Sequence, residues 1–189
     1  MIKLQEKTKE NVNYKISIEG EALAGKTTWV KNNFLNPLFL STDGNAVRQG
    51  LKSIDANTIN FNNLKELADF IIKGKYTCLC IDTADEFEQT INEFVEKITG
   101  HKKLTFDDWG MVKSLTNKFI DWCVKAPIDV VFIVRTFFDG KQTNYPMTTK
   151  YADRLFGRLD CRLEITKNHT ASKLTDARFS DIEKLLNKK

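Results

Sequence analysis

Several patterns are missing from this chain, and each absence removes a class of protein. No apolar run approaches the ~18 residues needed to cross a bilayer. The opening MIKLQEKTKENVNYK lacks the continuous apolar segment of a secretory signal. Cytoplasmic residence is therefore expected. The four cysteines, Cys78, Cys80, Cys123 and Cys161, show no CxxC spacing and lie within or beside apolar stretches. They read as small buried hydrophobes in a reduced compartment, not as a disulfide framework or a metal site. Neither of the two histidines has metal-ligand partners at a recognisable spacing. No internal repeat, low-complexity tract or Pro/Gly/Ser-rich linker interrupts the chain, so residues 1–189 are expected to form a single domain.

What is present is ordinary for a soluble globular protein: 41% apolar and 29% charged residues over 189 positions, enough for one continuous core. A formal charge of +4 is compatible with a nucleic-acid partner without requiring one. Five short runs rich in β-branched and aromatic residues read as strands: Tyr14–Glu19, Pro37–Thr42, Thr77–Asp82, Ile128–Thr136 and Leu159–Thr166. Their apolar continuity suits strands buried on both faces of a parallel sheet. Between them, Lys26–Phe34, Asn63–Lys73, Asp85–Thr99 and Trp109–Lys125 read as helices, the last three by apolar residues at spacings of three and four. The alternation predicts an α/β three-layer sandwich with a mainly parallel sheet. Gly100–Asp108 and Phe137–Thr149 read as long loops.

Directly behind the first strand stands GEALAGKT, residues 20–27, which fits GxxxxGK[ST]. Roughly one random chain of this length in two hundred would contain the pattern, and here it also falls between a strand and a helix. Glycines at 20 and 25 let the intervening residues Glu21, Ala22, Leu23 and Ala24 turn their N–H groups inward around phosphate oxygens. The helix that follows, through Thr28, adds the positive end of its dipole. Lys26 supplies a charge for the β- and γ-phosphates, and the Thr27 hydroxyl suits Mg²⁺. The chain is thus expected to bind ATP with Mg²⁺. The second magnesium group expected of a P-loop protein is an acid closing a neighbouring apolar strand, and Asp82 of TCLCID fits. Thr83 either assists Asp82 at the metal or, as the simpler reading, serves as a capping hydroxyl for the helix behind it.

Four further segments, NPLFLSTDGN, CLCIDTADEFEQ, DWGMVKSLTNKFIDW and VVFIVRTFFDG, resemble the phage-encoded P-loop nucleotide-binding proteins. These are small RecA-like ATPases of the Sak type, regarded as single-strand annealing recombinases. The resemblance runs from Tyr14 to Phe179. It implies a RecA-like core with sheet order 5-1-4-3-2, residence in a host cytoplasm, a homo-oligomer, single-stranded DNA as a partner and a single-strand-binding protein as a further one. It also implies that Asp43 orients the attacking water, with Asp85 and Glu86 as rivals, and that Arg135 senses the γ-phosphate. Arg135 departs from the amide or His found at that position in relatives. Lys167, Lys173 and Arg178 resemble basic residues that reach a neighbour's ATP. In the aromatic and basic segment after Arg135, Lys141, Tyr145 and Lys150 fit single-stranded DNA, which is held by a cationic track with stacking faces. Two other functions share the P-loop: a small-molecule or nucleotide kinase, and a nucleotide-gated DNA-binding module with negligible turnover.

Overall fold

The β-branched runs pair as parallel neighbours, and the amphipathic stretches between them cover the resulting sheet. A computed structural model describes residues 13–168 and 171–174. Its strands are β1 (Lys15–Gly20), β2 (Pro37–Ser41), β3 (Ser53–Asp55), β4 (Cys78–Asp82), β5 (Asp129–Arg135), β6 (Phe137–Phe138), β7 (Thr143–Asn144), β8 (Cys161–Ile165) and β9 (Ala171–Lys173). Its helices are α1 (Lys26–Asn33), α2 (Asn45–Arg48), α3 (Lys65–Lys73), α4 (Ala84–Thr99), α5 (Phe106–Lys125) and α6 (Thr149–Phe156).

Among the described residues the main sheet has the order β3-β2-β4-β5-β1-β8-β9. All its pairings are parallel except β8 with β9. The five expected strands appear unbroken in the expected 5-1-4-3-2 order, as β8, β1, β5, β4 and β2. The two edges, β3 and β9, were not anticipated; they are three residues long and carry no apolar alternation. The segment 137–149, read as a loop, contains the small antiparallel hairpin β6–β7. Helix α5 begins three residues before the expected Trp109. A capping box sets its start, the Thr105 N–H donating to Asp108 Oδ2 at 2.7 Å while the Asp108 N–H donates back to Thr105 Oγ1 at 3.4 Å.

Alternation along the strands sends side chains into two separate cores. On one face Ile16, Ile18, Phe39, Cys80, Val131 and Leu163 pack with Val30 and Phe34 at α1 and Ala46 of α2. On the other, Leu40, Ile81, Phe132 and Val134 meet α3, α4, α5 and α6. That second core centres on Phe87 and Phe119, stacked at 4.3 Å, with Phe61 edge-on to both. Each such buried ring contributes about 1.5–3 kcal/mol. No helix among the described residues is long and apolar enough to cross a membrane.

Strand β1 is the exception to apolar burial. Toward the α3–α6 face it turns Lys15, Ser17 and Glu19, all buried. Arg162 of β8 binds Glu19 through two hydrogen bonds, Nε to Oε1 at 2.6 Å and Nη2 to Oε2 at 2.7 Å. Ser17 donates to the same carboxylate, and Lys15 caps the carbonyls of Ala126 and Ile128. The charges are paired and bonded, as burial requires.

Candidate functional site

The parallel strands of the central sheet all end on the same side, so the loops after β1, β2, β4 and β5 converge. Gly20 ends β1 with φ 155°, and a Cβ there would lie 2.3 Å from the Ile165 carbonyl oxygen of β8. Only a glycine lets the chain leave the strand so close to its neighbour. Leu23 (φ 64°) and Gly25 (φ 87°) take left-handed backbone and curl the loop before α1 starts at Lys26. Successive N–H groups turned this way form an anion-binding concavity at a helix start. The Leu23 side chain, 97% exposed, takes no part in the core.

Lys26 is buried, and its Nζ donates to the carbonyls of Gly20 and Glu21 at 2.8 and 2.7 Å. Burial lowers its pKa, with Asp82 and Asp85 pulling the other way. Asp82 ends β4 facing Thr27, whose hydroxyl donates to its Oδ2 at 3.0 Å. Burial pushes the Asp82 carboxyl up to about 6, against the Thr27 bond and with the help of the Asp43 charge. The Asp82–Thr83 peptide is cis. Thr27 and Asp82 offer an oxygen-only pair within reach of the phosphate loop, the donor chemistry a hard cation such as Mg²⁺ takes. These residues fit the metal that the fold implies.

Together they line a cleft of about 450 Å³ with Ala22, Leu23, Gly25, Thr28, Asp43, Asn45, Gln49, Thr83, Ile133 and Arg135. Asp43 reaches the cleft, and its carboxylate also accepts from the Asn45 N–H at 2.9 Å and from the Asn45 side chain, closing the turn into α2. Arg135 borders the cleft while paired to two acids: Nε to Asp85 Oδ2 at 2.7 Å and Nη2 to Glu86 Oε1 at 2.5 Å. Asp85 is fully buried in that pair. Glu86 is also bonded by the Thr42 hydroxyl at 3.0 Å. Thr83 precedes α4, yet its side chain makes no capping bond, which corrects its reading as a cap. Asn45 and Gln49 were missed in the sequence. Asn45 starts, and Gln49 directly follows, a four-residue helix too short for any periodicity.

The family model described as AAA domain matches residues 12–176, most of the chain. The chain belongs to the AAA domain family. No curated protein matches this AAA domain in sequence. Among solved structures, it is similar to a prototypical ATPase from the type III secretion system of pathogenic bacteria, at 14% identity and a TM-score of 0.59, covering 93% of this chain and 62% of that one. It is also similar to the assembled ATPase EscN of the enteropathogenic E. coli type III secretion system, at 15% identity and a TM-score of 0.51, covering 82% of this chain and 43% of that one. The AAA domain thus spans under two thirds of either ATPase. Its sheet with helices on both faces is the RecA-like P-loop ATPase architecture.

A second concavity, about 740 Å³, lies between α5 and α6. Phe106 and Trp109, 92% and 52% exposed, stand beside Lys113, Lys150, Tyr151 and Arg154. Glu88 also faces it and accepts from the Thr148 hydroxyl at 2.8 Å. Of the three expected DNA contacts, Lys150 lies here. Lys141 is exposed in the turn between β6 and β7. Tyr145 is tied inward: its hydroxyl donates to Glu19 Oε2 at 2.9 Å and accepts from Arg162 at 2.6 Å, and its ring packs on Phe156. Phe106 and Trp109 gave no motif signal, because helical spacing alone does not tell a core aromatic from an exposed one. Lys167 pairs with Glu21 of its own phosphate loop. Lys173 lies in β9, and Arg178 falls outside the described residues.

Proposed function

We propose that this AAA domain hydrolyses Mg²⁺·ATP and couples the cycle to binding and pairing single-stranded DNA, as in the phage annealing ATPases its sequence resembles. The observation carrying the DNA half is the α5–α6 groove. Exposed aromatic faces beside three cations are the surface single strands use, by stacking and by phosphate neutralisation. A small-molecule kinase has no use for such a groove outside its nucleotide cleft.

In this reading the loop amides from Glu21 to Thr28 and the Lys26 ammonium hold the phosphates. Thr27 and Asp82 hold the metal, which when bound supplies positive charge against the charge spreading over the transferred phosphoryl. Asp43 accepts from and orients the attacking water, its carboxylate kept in place by Asn45. Arg135 connects the cleft to the groove. It ends β5, and the chain runs directly from it through the β6–β7 hairpin to Lys150. Exchange of Arg135 from Glu86 to a phosphate oxygen would free Glu86 and shift the start of that segment. A homo-oligomer places ATP between copies, and a single-strand-binding protein delivers the DNA.

Titrating ATP turnover against single strands of increasing length tests the proposal. Stimulation that rises and then saturates with length is expected, and it should be absent in the double variant F106A/W109A. Phosphate appearing on a small acceptor instead of in solution would establish the kinase. Nucleotide-dependent DNA binding without phosphate release would establish the gated module.

A further inference from the structure

The hydroxyl of Thr83 has no hydrogen-bond partner among the described residues, although the residue is only 4% exposed. A buried hydroxyl left unpaired carries its full desolvation penalty, so such atoms mark sites completed by something else. The N–H and C=O of the Asp82–Thr83 peptide are both held by Thr42. The Thr83 N–H donates to Thr42 Oγ1 at 2.9 Å, and Thr42 in turn bonds the Asp82 carbonyl and Glu86. Residue 83 is therefore held in place while its side chain caps nothing, and it lines the same cleft as the phosphate loop.

The neighbouring groups say what kind of atom it awaits. Asp82 is bonded to Thr27, Asp43 to Asn45, and Arg135 to Asp85 and Glu86. This wall already presents carboxylates able to accept from metal-bound water. A phosphate oxygen needs donors, and Arg135 commits its Nε and Nη2 to Asp85 and Glu86. The Thr83 hydroxyl is a donor not yet used.

We propose that the Thr83 hydroxyl donates to the terminal phosphate of a bound nucleoside triphosphate, making Thr83 a positioning residue by which the cleft distinguishes triphosphate from diphosphate. This rests on the nucleotide-binding reading above. It is tested by calorimetric titration of wild type, Thr83→Val and Thr83→Ser with the β,γ-imido analogue of ATP and with ADP, both at saturating Mg²⁺. Thr83→Val is expected to weaken the analogue about tenfold or more, the scale of one hydrogen bond to a charged group, while ADP changes less than twofold. Thr83→Ser should bind both as wild type does. Without nucleotide, Thr83→Val should melt at or above the wild-type temperature, because it removes an unpaired polar atom. A hydroxyl with a merely structural role would lower the melting point. Equal weakening of both nucleotides, no weakening of either, or Thr83→Ser behaving like Thr83→Val would each overturn the proposal. Wild-type protein binding neither nucleotide would overturn the nucleotide reading and this proposal with it.

Discussion

The nucleotide cleft and the groove between α5 and α6 are both open concavities, but they are built in opposite ways. In the cleft the main chain does most of the recognising, its curvature set by Gly20, Leu23 and Gly25 and its position by the start of α1. In the groove, which is proposed to take single-stranded DNA, the lining is mostly the far ends of side chains from two helices joined by a long connection. A surface made of backbone needs particular residues at particular spacings, and so leaves a motif. A surface made of side-chain tips needs only aromatic and cationic residues brought near one another by the fold.

That contrast can be tested by damaging each surface separately. The largest effect is expected from Lys26→Ala, which should lower ATP affinity more than a hundredfold with an unchanged circular dichroism spectrum. Equilibrium dialysis with labelled ATP measures it, and DNA binding without nucleotide should survive. F106A/W109A should do the reverse. Single-strand affinity should fall by about 1–3 kcal/mol for each base no longer stacked, read by fluorescence anisotropy, with ATP affinity intact. Loss of both functions in either variant would mean that the two surfaces are one site.

A pH experiment sharpens the comparison on the cleft side. The folded protein raises Asp82 from 3.8 to about 6, chiefly by burial. Between those values the folded state holds a proton that the unfolded chain releases. Ionisation of Asp82 therefore costs stability progressively as pH climbs through that window, and the full cost is present above about 6. Asp82→Asn should stabilise the nucleotide-free protein at pH 7–8, by an amount on the order of 1–3 kcal/mol. The gain should disappear near pH 4, as followed by thermal melts. Mg²⁺ affinity of the wild type should fall as pH drops below about 6. The smallest effect is expected from Tyr145→Phe. Losing its bond to Glu19 should cost about 1 kcal/mol in a urea melt and leave single-strand affinity within twofold. A large loss of DNA binding instead would return Tyr145 to the nucleic-acid surface.

The same division explains what could be read beforehand. The five buried strands were legible from their β-branched and aromatic runs, and their order from the family resemblance that the P-loop and its companion segments carry. Edge strands β3 and β9 and helix α2 were not, being too short to show a period. Helix α6 left a fainter sign, Thr148 as its cap followed by Tyr151 and Leu155 on one face. The cations and aromatics around it drew attention to DNA first. Asp82 and Thr27 stood out in the sequence because they sit at fixed ends of elements. The Arg135 pairing to Asp85 and Glu86 depends on how α4 packs beside β5, which no local pattern encodes. Glu19 looked like the end of an apolar strand, and its ion pair with Arg162 joins residues far apart in the chain.

All four cysteines are buried, and burial holds the Cys78, Cys80 and Cys123 thiols well above the usual range. Maleimide dyes attack thiolates at accessible positions, so the folded wild type should be almost silent to them. A single new thiol introduced by Lys141→Cys would then carry a fluorophore alone, with no native cysteine removed, and its emission would follow the hairpin through a turnover cycle in real time.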